Sequence, residues 1–212
     1  MNNTSQKHHF IPIFYQKGFR SDQDELFAYK KDRGGIKIRS PSQIMYEKNL
    51  HTFQHKGEES MIEDFYSKLE GWFSEYSKIM ENIDNPNLIG ELMKDGNFQR
   101  LAKLMVSIQF WRTPCRTQQA IIYAEKLVNL YDKADDETKT FLYHNRDLVE
   151  YHSKRAVRYH KKRAKKNDSL KLIQFFLLPL LSFDISCKVK NFKLFQANEH
   201  KKFITSDRPV IY

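Results

Sequence analysis

The stretch that decides the fold is EESMIEDFYSKLEGWFSEYSKIMENI, residues 58–83. Its apolar side chains return every three to four residues, which is the spacing of an α-helix with one face on a core. The apolar positions are Ile62, Phe65, Leu69, Trp72, Phe73, Tyr76, Ile79, Met80 and Ile83. The pattern therefore predicts one long amphipathic helix that ends at the turn formed by residues 84–86.

Helical patterns also dominate the sequence that follows this helix. Further helices are expected at about 97–111, 115–132, 135–166 and 169–181, the last capped by Ser169. Upstream, residues 8–19 predict a turn at the two histidines and then a short helix with Pro12 in its first turn and Gly18 at its end. Most of the chain is therefore expected to be helical.

Small β elements are expected at both ends of the chain. DELFAYKK and GIKIRS are separated by residues 32–35, which read as the turn of a hairpin. Residues 41–49 predict a short helix capped by Ser40, and 49–54 a strand. With β elements drawn from 25–54 and 186–212, the predicted fold class is α+β, a predominantly α-helical bundle with small sheets.

Composition excludes several classes of protein. The chain has 212 residues and only two cysteines, Cys115 and Cys187, so neither a disulfide framework nor a structural zinc site is expected. The longest apolar run, 175–181, is too short to span a bilayer and contains Pro179, and the N-terminus does not resemble a signal peptide. A cytoplasmic location is predicted. Motifs of P-loop, Rossmann, α/β-hydrolase and zincin proteins do not occur.

The positive charge is concentrated in one segment. The chain carries a formal net charge of +10, yet eight of its 36 basic residues lie in KRAVRYHKKRAKK, residues 154–166, which has no acidic residue. On a helix, seven of them fall within an arc of roughly 140°. This basic stripe consists of Lys154, Arg155, Arg158, Lys161, Lys162, Lys165 and Lys166. The opposite side carries Ala156, Val157, His160 and Ala164, which can pack on a neighbour.

Two interpretations of the basic stripe stay open. Clustered cations on one helix side suit the phosphate backbone of a nucleic acid or an acidic protein partner. Alternatively, the stripe is a solvated helix end, where the helix dipole favours cations.

Four short motifs resemble a known family. They are HHFIPIFYQKGF (8–19), YEKN (46–49), SIQFWRTP (107–114) and FITSDRPV (203–210). In this order they resemble the bacterial family known as domain of unknown function 4238, whose members show HHxxPxFY, RTP and TSDxPV patterns. The resemblance covers nearly the whole chain and implies a shared fold, while the family name assigns no activity.

The chain departs from the family pattern in three ways. Members typically have tyrosine where this chain has His51 and asparagine where it has Arg208, and they usually continue beyond the TSD strand. We therefore expect a single domain over residues 1–212 that lacks the last C-terminal strands of the family.

The motifs suggest a candidate catalytic set of His8, His9, Arg112 and Asp207. Imidazole and carboxylate groups can hold a divalent metal or act as a general base, and a guanidinium can clamp a phosphate. The metal and its ligands are left unspecified. Structural roles are the alternative: a histidine bound to backbone, an aspartate in a turn, and Arg112 at a helix end or paired with a buried acid.

One further pair of acids was weighed as a site. Glu63 and Glu70 are seven residues apart and share one side of the long helix. Paired acids of this kind occur in helical metal sites. That side lies roughly 130° from the centre of the apolar stripe, so a solvated face is favoured.

Two functional hypotheses follow. The first is a nucleic-acid-associated protein, conceivably a metal-dependent nuclease. The second is a non-enzymatic helical protein-interaction module of a defence or toxin-like system, whose motifs are structural. No oligomeric state is indicated.

Overall fold

The computed structural model describes residues 7–52, 54–55, 58–59, 61–81, 85–144, 154–183 and 205–206. It divides into two compact units, and each is described by itself. Unit 1 comprises Met1–Leu50 and Leu194–Tyr212, and unit 2 comprises His51–Lys193. Of the C-terminal β region predicted at 186–212, only Thr205 and Ser206 fall within the described residues.

The described residues of unit 1 form two small antiparallel sheets and one short helix. Its elements are β1 (Lys7–His9), α1 (Ile13–Lys17), β2 (Leu26–Tyr29), β3 (Ile36–Arg39), a single 3₁₀ turn (Pro41–Gln43) and β4 (Tyr46–Lys48). Strand β1 pairs with β4, and β2 pairs with β3. The helix after Pro12 and the hairpin are confirmed.

The hairpin turn depends on two glycines. Gly34 and Gly35 have φ angles of 65° and 73°, in the left-handed region that a side chain disfavours. Ser40 stands at the cap position, as predicted, and its backbone N–H donates to the Gln43 side-chain oxygen at 3.1 Å in a capping box. Its helix is only one turn long, however, because residues 46–48 are recruited into β4 by pairing with β1.

The described residues of unit 2 are helical apart from two short strands of two residues each. Its elements are β5 (Gln54–His55), β6 (Glu58–Glu59), α2 (Met61–Glu81), α3 (Pro86–Leu92), α4 (Gly96–Arg112), a 3₁₀ turn (Pro114–Arg116), α5 (Thr117–Glu125), α6 (Leu127–Lys133), α7 (Asp136–His144), α8 (Lys154–Lys162), α9 (Asn167–Leu172), a π-helical segment (Ile173–Leu177) and α10 (Leu178–Leu181). The predominantly helical α+β class is confirmed.

Several predicted boundaries in unit 2 are wrong. The helix expected at 115–132 is two helices, α5 and α6. Ser169 does not cap the last helix, which begins at Asn167 and buries Ser169 inside it. The helix expected over 135–166 contains α7 and α8, and α8 ends at Lys162 because residues 163–166 form a turn. Residues 145–153 lie outside the described part of the chain.

The centre of unit 2 is the helix that runs from α9 through the π-helical segment to α10. All residues from 172 to 181 are buried, so this helix is enclosed on every side, as helices apolar all round require. Helix α4 packs against both α2 and α10. Among the described residues, no helix has the length and apolarity to cross a membrane.

The core helix continues past Pro179 because of a π turn. A proline has no backbone N–H and crowds the carbonyl four residues before it, here that of Phe175. The backbone N–H of Leu178 reaches back five residues to the Ile173 carbonyl, which widens the helix just before the proline. The Phe175 carbonyl, left without its usual helical donor, accepts a hydrogen bond from the Tyr66 hydroxyl.

Candidate functional site

The histidine pair of unit 1 lies on a strand. The sequence suggested a turn, but His8 and His9 belong to β1, where they pair with Glu47 and Tyr46. Neighbouring residues of a strand point to opposite faces, so the two imidazoles diverge. The His8 side is buried, since His8 is only 2% exposed. On the other face, the His9 ring lies 5.6 Å from the ring of Tyr46.

Two of the sequence motifs meet within unit 1. The hydroxyl of Tyr15, from the HHFIPIFYQKGF motif, lies 3.2 Å from the hydroxyl of Thr205, which begins TSD. The two residues are 190 positions apart in sequence, and the bond brings the N-terminal and C-terminal motifs together. Asp207 lies outside the described residues, so its position relative to the histidines is not assigned.

Arg112 lies in unit 2 at the end of α4 and is buried. Its guanidinium pairs with the carboxylate of Glu70 from α2 and sits 4.5 Å from the centre of the Tyr66 ring. This matches the structural alternative, in which Arg112 pairs with an acid. A catalytic role for His8, His9, Arg112 and Asp207 stays a prediction.

Glu63 and Glu70 do not form a solvated face, so that prediction is wrong. Glu63 accepts a hydrogen bond from the fully buried His51, with 2.8 Å between carboxylate oxygen and Nδ1, and Glu70 pairs with Arg112. The side chain of Glu63 is 34% exposed and that of Glu70 is 22% exposed. The physical reason is that α2 buries Tyr66, between them, as well as the first three residues of the predicted stripe, Ile62, Phe65 and Leu69.

The far half of α2 also differs from the prediction. Trp72 and Ile79 were placed on the core face but are 53% and 50% exposed. They line an open groove of about 540 Å³ between α2 and α4, together with Arg100 and Leu101. Periodicity identifies the apolar side of a helix, but it does not say how far along that side the neighbouring helix makes contact.

Tyr66 is the centre of a polar cluster in unit 2, in which His51, Tyr66 and Arg112 are buried and Glu63 and Glu70 are partly exposed. The rings of His51 and Tyr66 pack edge to face, with 5.0 Å between their centres. The Arg112 guanidinium contacts the same Tyr66 ring. Burial raises the pKa of the Tyr66 phenol far above its usual value near 10, Arg112 opposes this rise, and the two glutamates add to it. The phenol therefore stays protonated and donates to Phe175.

The same region ties the core helix to α4. The Gln174 side-chain amide donates to the Trp111 carbonyl at 2.9 Å, and the Ser107 hydroxyl donates to the Pro179 carbonyl at 2.6 Å. The RTP motif thus ends α4 at a place where the buried Gln174 side-chain amide donates to backbone carbonyls at the end of the helix. The sequence patterns did not predict a role for His51, Tyr66 or Gln174. Gln174 stands out only as a polar residue inside an apolar run, and His51 only as a departure from the family pattern.

The basic stripe is on the surface of unit 2. Val157, His160 and Ala164 are buried, as predicted for the side opposite the stripe, and α8 packs against α6. Lys154 and Lys161 form ion pairs with Asp132 and Glu125. The other members of the stripe are exposed and have no acidic partner among the described residues: Arg155, Arg158, Lys162, Lys165 and Lys166.

Nearly the whole chain matches a known protein family. The model of the family described as "Protein of unknown function (DUF4238)" matches residues 7–212. The chain belongs to the DUF4238 family. No curated protein and no solved structure is significantly similar to this DUF4238 protein. Its function therefore has to be argued from its own residues.

Proposed function

We propose that this DUF4238 protein binds nucleic acid through the basic stripe. The observation that carries the proposal is the exposed set of five cations on and just after α8, whose other side is anchored in the core by Val157 and His160. Clustered cations gain affinity for a phosphate backbone by releasing condensed counterions. This mode of binding is independent of base sequence and depends strongly on salt.

The test is a comparison of two variants that lose the same charge. In the first, Arg155, Arg158, Lys162 and Lys165 are changed to glutamine. We expect its affinity for duplex DNA or RNA at low salt to fall at least about tenfold. The slope of log K against log salt should become shallower by up to about 3.6, because each of the four lost phosphate contacts contributes about 0.9 to that slope. Fluorescence anisotropy across a salt series measures both quantities.

The matched control changes four exposed lysines of unit 2 that lie outside the stripe: Lys68, Lys94, Lys126 and Lys133. Its salt slope is expected to stay within about one contact of the wild-type slope. Equal losses in the two variants would show that net charge, not the stripe, drives binding. A wild-type chain that binds neither DNA nor RNA at low salt would sink the proposal.

A second candidate function is metal-dependent phosphodiester cleavage. It is supported by the Tyr15–Thr205 hydrogen bond, which joins the motif that contains His8 and His9 to the motif that contains Asp207. In this proposal one histidine is the general base and Asp207 is an oxygen ligand of a divalent metal.

Cleavage of labelled DNA and RNA with Mg²⁺, Mn²⁺ or Zn²⁺ tests the nuclease proposal. His9→Gln is expected to lower the cleavage rate by at least about 100-fold, which is the usual contribution of a general base. His9 is chosen because the buried His8 also supports the fold. His144→Gln, outside the four motifs, serves as the control. Absence of metal-dependent cleavage by the wild-type chain would remove this candidate.

The competing proposal is a non-enzymatic module that binds an acidic protein. It is supported by one face of the β2–β3 hairpin, where four large side chains are 52–68% exposed: Phe27, Tyr29, Ile36 and Ile38. Lys37 and Arg39, on the opposite face of the same hairpin, give it a positive charge that attracts an acidic partner. Failure to bind nucleic acid at low salt would favour this function.

A further inference from the structure

Unit 1 contains a pocket of about 500 Å³ beside the β2–β3 hairpin. The hairpin, its glycine turn and residues 43–46 form the walls, and Phe10 completes them. The volume lies within the range of about 300–1,000 Å³ that is usual for small-molecule sites. It is large enough for a nucleotide.

The pocket is strongly basic. Its lining includes Lys30, Arg33, Lys37 and Arg39, and no acidic residue in the described part of unit 1 lines it. Alternation along β3 explains this arrangement, because Lys37 and Arg39 are two residues apart and share one face of the hairpin. The exposed apolar residues of the hairpin occupy the other face, where Phe27 pairs with Ile38 and Tyr29 with Ile36.

The four cations are little neutralised by neighbouring acids. Arg33 lies 3.9 Å from Asp32, and both side chains are more than 60% exposed. Arg39 donates a hydrogen bond to the Ile38 carbonyl. Lys30 and Lys37 have no acidic partner among the described residues. Four cations that face one cavity repel each other, and an anion in the cavity relieves this repulsion.

Two aromatic residues also line the pocket, and the Tyr46 ring carries the Lys7 ammonium 4.9 Å from its centre. Phe10 and Tyr46 flank a backbone turn at Met45, whose φ of 55° is unusual for a residue with a side chain. The Met45 carbonyl accepts a hydrogen bond from the Phe10 backbone N–H, which holds the two aromatic positions close in the fold. Aromatic rings beside cations are the combination that binds bases and phosphates together.

We propose that this pocket binds the phosphates of a nucleotide with Lys30, Arg33, Lys37 and Arg39, and its base with Phe10 and Tyr46. The ligand is a free nucleoside phosphate or the phosphorylated end of a nucleic acid chain, which present the same chemistry. The site is separate from the basic stripe, and neither proposal depends on the other.

Isothermal titration of the full chain with ADP, adenosine and inorganic phosphate tests the chemistry of the site. We expect ADP to bind at least about tenfold more tightly than adenosine, because adenosine lacks the charge that the cations recognise. Inorganic phosphate is expected to bind more weakly than ADP, because it lacks a base to stack. Adenosine binding as tightly as ADP would overturn the proposal.

A variant pair locates the site. Lys30→Gln with Lys37→Gln is expected to weaken ADP binding at least about tenfold. Lys17→Gln with Lys48→Gln removes the same charge from exposed positions of unit 1 that do not line the pocket, and should leave ADP affinity within about twofold. Both lysines of the first variant are exposed, so loss of folding is not expected. Equal affinities in the two variants would contradict the assignment.

The remaining measurements distinguish the two sources of the ligand. If the ligand is the end of a nucleic acid chain, a 5′-phosphorylated oligonucleotide binds more tightly than its 5′-hydroxyl form. This difference should disappear in the Lys30/Lys37 variant. ADP that binds more tightly than the oligonucleotide identifies a free nucleotide. The stripe variant is expected to keep its ADP affinity, so failure of the stripe proposal leaves this result unchanged.

Discussion

Replacement of Arg112 by alanine is expected to lower the free energy of unfolding by about 3 kcal/mol. Arg112 is 2% exposed, pairs with Glu70 and covers the Tyr66 ring. Its removal leaves the Glu70 carboxylate without its cation in a largely buried place and opens a cavity beside the ring. The value is at the lower end of the range for buried pairs because Glu70 keeps 22% of its exposure and gains some solvation. Urea unfolding followed by circular dichroism measures the change.

Two controls separate this effect from a general effect of losing a charge. Arg100→Ala, on the same helix, breaks the exposed pair with Glu137 and is expected to cost less than about 1 kcal/mol. The double variant Arg112→Met/Glu70→Met removes both charges and keeps apolar volume, so it should recover much of the stability. An Arg112→Ala variant as stable as Arg100→Ala would contradict the structural role of the pair.

Replacement of Tyr66 by phenylalanine is expected to destabilise the protein by about 1–3 kcal/mol at neutral pH. The substitution removes the hydrogen bond to the Phe175 carbonyl, which Pro179 already deprives of its helical donor. The carbonyl is then buried without that donor, and the loss of a partner by a buried group carries the full desolvation cost.

The difference between wild type and Tyr66→Phe should shrink at alkaline pH. In the folded chain, burial holds the pKa of Tyr66 far above 10, so the phenol stays protonated. In the unfolded chain it deprotonates near pH 10. Above about pH 10 the unfolded state therefore binds fewer protons, and wild-type stability falls by up to about 1.4 kcal/mol per pH unit from this group.

Urea unfolding between about pH 8 and 11.5 compares the two proteins, since effects of other groups cancel in their difference. The exposed Tyr29→Phe variant controls for loss of a surface phenol. A gap between wild type and Tyr66→Phe that stays constant above pH 10 would show that Tyr66 ionises as readily in the folded chain as in the unfolded one.

Local signals accounted for much of the fold. The hairpin followed from two adjacent glycines between alternating strands, α1 from Pro12 and Gly18, and α4 from its apolar period. Each of these depends on neighbours in sequence. Predictions that needed partners distant in sequence were less accurate: His8 and His9 became a strand only because β4 pairs with them.

The polar cluster of unit 2 shows the same limit. Glu63 and Glu70 look solvated on a helical wheel because the wheel contains no information about other elements. Their partners, His51 and Arg112, come from 12 and 42 residues away. The shift of the buried face of α2 toward Tyr66 is what turns two apparently exposed acids into members of a buried network.

The sequence by itself determined the helical class, the hairpin, the family motifs and the location of the excess charge, because periodicity, turn chemistry and composition are local properties. The tertiary structure alone decided that Arg112 pairs with Glu70, that Tyr66 satisfies the carbonyl exposed by Pro179, and that four cations of the hairpin face one pocket. These outcomes depend on which surfaces pack together, and burial then sets which polar groups must find a partner.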